Sequence, residues 1–159
     1  MVTYSRAEAS HYKLFMQLMR KHGADYLERS LLLMDMTWEA FSELFVTVGQ
    51  VCGIYEDGCL AGFYWIEKRG AVLHLYGLIL KEGFREQGIG TQVLHDLEAR
   101  HGEGTHTFEL GVHQSNRRAK RLYRRLGYRR GQTLEDLGFE IMQKQVSEAG
   151  STRLGGRAQ

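Results

Sequence analysis

The sequence predicts an α/β domain in which one mixed, mostly antiparallel sheet of about six to seven strands is flanked by about four helices. Three observations predict it. Between Val51 and Leu80 three β-rich segments follow one another, interrupted only by Asp57-Gly58 and Arg69-Gly70. Just past Gly90 the hydrophobic period changes from two to 3.6, and strand and helix patterns then alternate as far as Val146. The chain's 159 residues suffice for one domain with its own core, and 43% hydrophobic with 25% charged residues exclude wholesale disorder, collagen and coiled coil.

The elements read in order as follows. Val2 to Ser5 is a short strand, and Tyr12 to Lys21 and Thr37 to Val48 are helical segments. Val51–Glu56, Leu60–Glu67 and Ala71–Leu80 are strands joined as antiparallel hairpins, because Asp-Gly and Arg-Gly pairs supply the left-handed positions a tight turn requires. After Gly90 a helix runs to about Arg100, with Ile89, Val93, Leu94 and Leu97 on one face and Gly102 and Gly104 ending it. Thr105–Val112 is a strand, and Ser115–Leu126 a helix striped by Ala119, Leu122, Tyr123 and Leu126 and closed by Gly127. Tyr128–Gln132 and Phe139–Val146 complete the sheet. The domain therefore covers residues 2–146, and 147–159, with three glycines and Leu154 as its one large apolar residue, reads as a flexible C-terminal tail.

Charge is more informative divided than summed. Arg117, Arg118, Lys120, Arg121, Arg124, Arg125, Arg129 and Arg130 lie in a stretch without any acid between Leu110 and Leu134. The other thirteen bases face nineteen acids, so the rest of the chain carries −6. A basic segment on an acidic protein suits a phosphate-bearing partner, either nucleic acid or a phosphorylated cofactor, and is equally compatible with a solvated helix face. No apolar run reaches the roughly 18 residues of a membrane span and no signal-peptide core opens the chain, so the expectation is a cytoplasmic protein without membrane contact. Cys52 and Cys59 are too far apart for a CxxC pair and read as reduced, structural thiols.

Two motifs carry chemistry. Phe84-Arg85-Glu86-Gln87-Gly88-Ile89-Gly90-Thr91 lies where a strand ends and an amphipathic helix begins. Its glycines let main chain approach a ligand, and the free N–H groups at the helix start suit an anion. No Gly-Lys-Ser/Thr follows, and Val93 occupies the third glycine position of a dinucleotide fingerprint, so neither of those phosphate loops is present. The second motif places Asn116 and Tyr123 seven residues apart, two turns along one helix face, ahead of Leu126-Gly127-Tyr128. Taken alone, the glycines are compatible with turn punctuation, Asn116 with a helix cap and Tyr123 with a core aromatic.

In this order and separated by one strand, the motifs resemble the GCN5-related N-acetyltransferase (GNAT) superfamily. Arg85, Gly88 and Gly90 match its Arg/Gln-x-x-Gly-x-Gly/Ala loop, and Asn116 through Tyr128 match its Asn-x-x-Ala-x-x-Leu-Tyr-x-x-Leu-Gly-Tyr/Phe helix. The resemblance implies the acyl-CoA N-acyltransferase fold and acetyl-CoA-dependent transfer to a primary amine. The cofactor would lie between splayed strands 71–80 and 105–112. Main chain at Leu78, Ile79 and Leu80 would pair with pantetheine, amides of Arg85, Glu86, Gln87, Gly88, Ile89, Gly90 and Thr91 would hold the pyrophosphate, and Asn116 would meet the pantetheine arm. Tyr123 would lie near the thioester sulfur, and part of the 117–125 block would face the 3′-phosphate of CoA, which makes nucleic acid a weaker expectation. Glu82 departs from the family, which often has proline there.

Energetics rank the catalytic needs. An alkylamine of pKa about 10.4 is neutral in roughly one molecule per thousand near pH 7.4, a cost of about 4 kcal/mol, against about 2 kcal/mol for a thiolate leaving group of pKa about 8.5. Deprotonating the amine is the larger problem. Tyr123 is the candidate acid. His74 falls where histone-modifying members carry a catalytic glutamate and is the first candidate base, on the same side of its strand as Tyr76, Leu78 and Leu80 by parity. Glu109, expected across the cleft, is the second, and ordered water the third. No zinc arrangement is evident among the histidines.

Acceptor recognition in the family comes from the N-terminal helices and the 50–70 hairpin. Here Trp38, Phe41, Phe63, Tyr64, Trp65 and Tyr76 accompany Asp25, Glu28, Asp35, Glu39 and Glu43, which suggests an acidic, aromatic-walled pocket for a cationic amine. With no cysteine in either motif to carry an acyl group, direct attack in a ternary complex is expected. The alternative is a non-catalytic acyl-CoA-binding or nucleic-acid-binding module using the basic 117–130 segment. A homodimer is left open.

Overall fold

The computed structural model of the chain describes residues 1–134 and 138–146, so the expected 147–159 tail lies outside the described residues. Seven strands form one sheet: β1 (Val2–Arg6), β2 (Gln50–Glu56), β3 (Cys59–Arg69), β4 (Val72–Leu80), β5 (Thr107–His113), β6 (Arg129–Leu134) and β7 (Phe139–Gln145). Their order is β1-β2-β3-β4-β5-β7-β6, and every neighbouring pair is antiparallel except β4 with β5. Four α-helices, α1 (Ala9–Leu33), α2 (Trp38–Thr47), α3 (Ile89–His101) and α4 (Arg117–Arg125), accompany it, with a one-turn 3-10 helix at Glu82–Phe84. The first hairpin follows from its turn: Asp57 and Gly58 both have positive φ, 50° and 85°, and Glu56 faces Cys59.

Each face of the sheet has its own core. On one, Ile89, Val93, Leu94 and Leu97 of α3 pack with Tyr64, Ile66, Leu73, Leu75, Phe108 and Leu110, and Ala119, Tyr123 and Leu126 of α4 close over them. On the other, Phe15, Met16 and Phe45 from α1 and α2 pack with Val51, Phe63 and Trp65. Because both faces are covered, β3 reads as an unbroken apolar run in which Phe63 and Trp65 face one core and Tyr64 and Ile66 the other. Trp65 Nε1 donates to the Val48 carbonyl at 2.7 Å, tying the end of α2 to the sheet.

Three expectations need correction. The first helix does not stop near Lys21 but continues to Leu33. Gly23 and the polar residues around it interrupt the apolar period, yet Leu27 and Leu31 resume it, and burial of Leu31 outweighs a glycine cost of about 1 kcal/mol. Cys52 is buried as a structural thiol should be, whereas Cys59, next to the Asp57-Gly58 turn, is exposed. Finally, β4 does not keep its parity. Trp65 pairs with Gly77 but Ile66 with Leu75, so Tyr76 is an extra residue in β4, a β-bulge. A one-residue slip exchanges faces, so Leu78 and Leu80 join the α3 core, while Ile79 sits in the α1–α2 core on His74's side. Among the described residues, no helix is long and apolar enough to cross a membrane.

Candidate active site

The same bulge opens the site. Pairing of β4 with β5 runs from Val72 and Thr107 only to Leu75 and Leu110, and the next β4 residue is Tyr76. Past that point lies a cavity of about 590 Å³, walled by Tyr76, Gly77, Leu78 and Ile79 of β4, Gly111 and Val112 of β5, and Asn116 and Tyr123 of the α4 segment. Its far end is made by α1, α2 and the turn between them, through residues including Met19, Met34, Met36, Phe41 and Leu44.

Main-chain groups on the β4 side follow from the ladder. Lys81 N–H donates to the Ala61 carbonyl at 2.8 Å, and antiparallel alternation then turns Ile79 main chain to β3 and that of Leu78 and Leu80 to the open edge. Ile79 therefore differs from the expectation: its side chain lines the cavity while its N–H and C=O belong to the sheet. The Leu80 carbonyl already accepts from Arg85 Nε at 2.9 Å, so the Arg85 side chain braces the strand end.

The glycine loop forms the start of α3. Glu86 and Gly88 hold φ of 59° and 81°, and the first bond into the helix runs from Gln92 N–H to the Gly88 carbonyl at 3.1 Å. No side chain caps this end, which leaves the N–H groups of residues 88–91 pointing out with the positive end of the helix dipole. A Cβ built on Gly88 or Gly90 would meet nothing within 4 Å, so the main chain there is approachable, and the donor set fits a pyrophosphate. Ile89 contributes only its amide, since its side chain is core. Gln87 Nε2 donates to the Gly83 carbonyl at 2.8 Å, and Glu86 meets Arg118 of α4 at 3.4 Å, both charges being exposed. None of residues 85–91 lines the 590 Å³ cavity; Gln87, Gly88 and Ile89 border a separate groove beside β1.

Asn116 caps α4, accepting from Ala119 N–H on Oδ1 at 3.1 Å, and also lines the cavity. The cap uses the oxygen and leaves the amide nitrogen for another partner. At the other end Gly127 has φ 102°; its N–H reaches the Arg124 carbonyl, and Tyr128 N–H reaches that of Tyr123, a Schellman closure. Fixed between these ends, Tyr123 both packs on the core and lines the cavity.

His74 and Glu109 are not on opposite sides of a cleft. They are register partners in the short stretch where β4 and β5 still pair, and His74 Nδ1 lies 2.7 Å from Glu109 Oε2. The parallel register of β4 with β5, which a count along either strand alone does not supply, sets them side by side. Burial alone would raise the Glu109 pKa, but hydrogen bonds from Gln143 at 3.0 Å and from His74 outweigh it and hold the carboxyl below its ordinary value. An ionised carboxylate only accepts, so Nδ1 is the donor to Glu109, and in the neutral imidazole the lone pair is then on Nε2. Neither residue lines the cavity; Tyr76, whose ring centroid is 4.5 Å from that of His74, stands in its wall. Tyr76 donates to Glu67, and burial with that carboxylate pushes its pKa up to about 12. Gln143 is a residue sequence reasoning missed, because only the β5–β7 register sets it opposite Glu109.

The expected acidic pocket is absent from the described lining. Phe41, Phe63, Trp65 and Tyr76 line the cavity, but Trp38 and Tyr64 do not, and Glu28, Asp35, Glu39 and Glu43 are exposed elsewhere on the helical segments. The side chain of Asp25 lies outside the described residues. In the basic segment, Lys120 reaches the buried Glu140 at 3.1 Å and Arg130 approaches it at 3.9 Å.

The structure is similar to that of PaiA N-acetyltransferase from Thermoplasma acidophilum in complex with coenzyme A, with a TM-score of 0.69, 18% identity, and 92% of this chain and 99% of that one covered. A GNAT family acetyltransferase from Elizabethkingia anophelis with acetyl-CoA bound superposes with a TM-score of 0.69 at 14% identity, covering 91% and 98%. The ribosomal-protein-S18-alanine N-acetyltransferase from Escherichia coli gives 0.70 at 21% identity, covering 94% and 97%. No curated protein sequence matches the chain. The profile of the Acetyltransferase (GNAT) family spans residues 12–128, from α1 to the tyrosine after α4, and the chain belongs to that family.

Proposed function

We propose that the protein transfers an acetyl group from acetyl-CoA to a primary amine by direct attack in a ternary complex. The observation that carries this reading is the uncapped, glycine-opened start of α3 beside a sheet that splits at Tyr76, with Tyr123 in the wall of the split. Acetyl-CoA, when bound, supplies an acetyl group activated as a thioester. Amides of residues 88–91 hold the pyrophosphate, Leu78 and Leu80 main chain aligns the pantetheine arm, and Asn116 Nδ2 donates to it. Exposed arginines of α4, among them Arg117, Arg121 and Arg124, face the 3′-phosphate. Lys120 is taken up by Glu140, which weighs against the segment serving as a nucleic-acid surface.

Tyr123 Oη holds the proton given to the departing sulfur. His74 Nε2 takes the proton of the amine through ordered water, since the ring is set back behind Tyr76, and Glu109 keeps the Nδ1–H tautomer. Tyr76 stays a neutral phenol at pH 7 and is not the base. Cys52 is buried and Cys59 lies at a hairpin turn, so neither relays an acyl group.

Thiol release from acetyl-CoA across a panel of amines, with calorimetric titration of CoA, tests the reading. The reaction should depend on amine, Tyr123→Phe should lower kcat by about 10- to 100-fold with acetyl-CoA KM little changed, and His74→Ala should remove the acidic limb of the kcat/KM profile. Tight CoA binding without amine-dependent thiol release would favour a non-catalytic module instead.

A further inference from the structure

We propose that the acceptor is a primary amine carried on an uncharged apolar body, an alkyl or arylalkyl chain, in preference to a polycation; the proposal rests on the acetyltransfer reading above. The cavity opposite Asn116 and Tyr123 is walled by α1, α2 and the turn between them through Met19, Met34, Met36, Phe41 and Leu44, with Trp65 from the sheet. No acid is among its described lining residues. A second ammonium buried there would lose its water and gain no countercharge, whereas methylenes or a ring would gain contact along the whole wall. Flexible thioethers let such a wall fit chains of differing shape.

Two further features agree. Met34 and Leu44 line the cavity and are also 48% and 37% exposed, so its rim toward solvent is apolar too. Ser30, 7% exposed, belongs to the lining, and its Oγ is buried without a hydrogen-bond partner among the described residues. In an otherwise apolar wall that hydroxyl is a place for one polar atom of the acceptor. The α1–α2 segment packs on one face of the sheet and Tyr123 on the other, and both line the cavity, so a body held at the first end has room to extend its nitrogen toward the second.

The test is a series of n-alkylamines from ethylamine to octylamine, with 2-phenylethylamine and spermidine, at saturating acetyl-CoA. The kcat/KM value should rise about three- to fourfold per added methylene until the cavity is filled, with spermidine below octylamine. Tetrapeptides beginning with leucine or aspartate separate a peptidic apolar body from a free amine. Octylamine alone should perturb tryptophan fluorescence through Trp65. Leu44→Glu, at an exposed position, should weaken octylamine binding and kcat/KM at least about tenfold with CoA affinity unchanged, and Leu44→Met should restore both. A chain-length profile that is flat, or a preference for spermidine, overturns the proposal. So does a chain-length dependence that appears with acyl-CoAs from acetyl to octanoyl and not with amines, which would give the cavity to the acyl chain. If no amine releases thiol while CoA binds and octylamine still perturbs the fluorescence, the acetyltransfer reading falls and the apolar ligand stands.

Discussion

The two ends of the site, the α3 start with the α4 segment and the α1–α2 wall, are built from different material. At the α3–α4 end the offered groups are main-chain N–H and C=O, an asparagine amide and a phenol, held by local devices: an uncapped helix start, an Asx cap and a Schellman closure. At the α1–α2 end the wall is apolar side chain, held by ring contacts such as Phe15 on Phe63 at 4.7 Å and Phe45 on Trp65 at 5.0 Å. Local devices need only neighbours in sequence, whereas the aromatic wall needs β2 and β3 to be in place before it has a shape. Ligand affinity and stability should therefore separate between the ends.

The largest expected effect breaks the α1–α2 end. Phe45 is fully buried between Tyr12, Phe63 and Trp65 and does not line the cavity, so Phe45→Ala should cost about 3–5 kcal/mol of stability in a urea titration with CoA affinity retained wherever the protein is folded. A comparable loss of CoA affinity would mean that the two ends are one cooperative unit.

Next comes the reverse separation. Gly88→Asp enters an open, left-handed position that Asp tolerates at about 1 kcal/mol, and brings negative charge to the amides of residues 88–91. Calorimetry should show CoA affinity falling by about 100-fold or more, while Gly88→Asn, with the same backbone preference and no charge, falls far less. Equal losses in the two variants would put the effect in the backbone and not in the charge.

The smallest effect concerns the hinge between the ends. Glu109 titrates below its ordinary value in the folded chain, so its contribution is full above its unfolded pKa and lost as pH falls through the folded one. Glu109→Gln should be destabilised by about 1.5 kcal/mol at pH 7, the lower end of the range for a hydrogen bond to a charged group, and the gap from wild type should close at acid pH. Chemical denaturation at pH 7 and pH 3 measures it; a gap independent of pH would assign the loss to packing with Gln143.

Legibility followed the same division. Gly88, Gly90, Asn116 and Tyr123 were readable as a set because each acts within one turn or one helix, where spacing in sequence is spacing in space. The succession of strands and helices along the chain and the Asp57-Gly58 hairpin were readable for the same reason. Parity along β4 was not, because Tyr76 is identified as the extra residue only by the register with Trp65 and Ile66. That single slip moved Leu78 and Leu80 to the other face, and the parallel register of β4 with β5 just before it made partners of His74 and Glu109. The extent of α1 was missed because Gly23 weakens the local helix signal, and distant packing of Leu31 decides the matter.

By itself, then, the sequence determined the glycine-opened, uncapped helix start, the capped α4 and the α/β architecture, all of which rest on short-range backbone chemistry. Only the tertiary structure decided the apolar lining of the α1–α2 end, the place of Gln143 and the pairing of His74 with Glu109. Those depend on registers between strands far apart in the chain, and one inserted residue changes which side chains meet without leaving a mark in the local pattern.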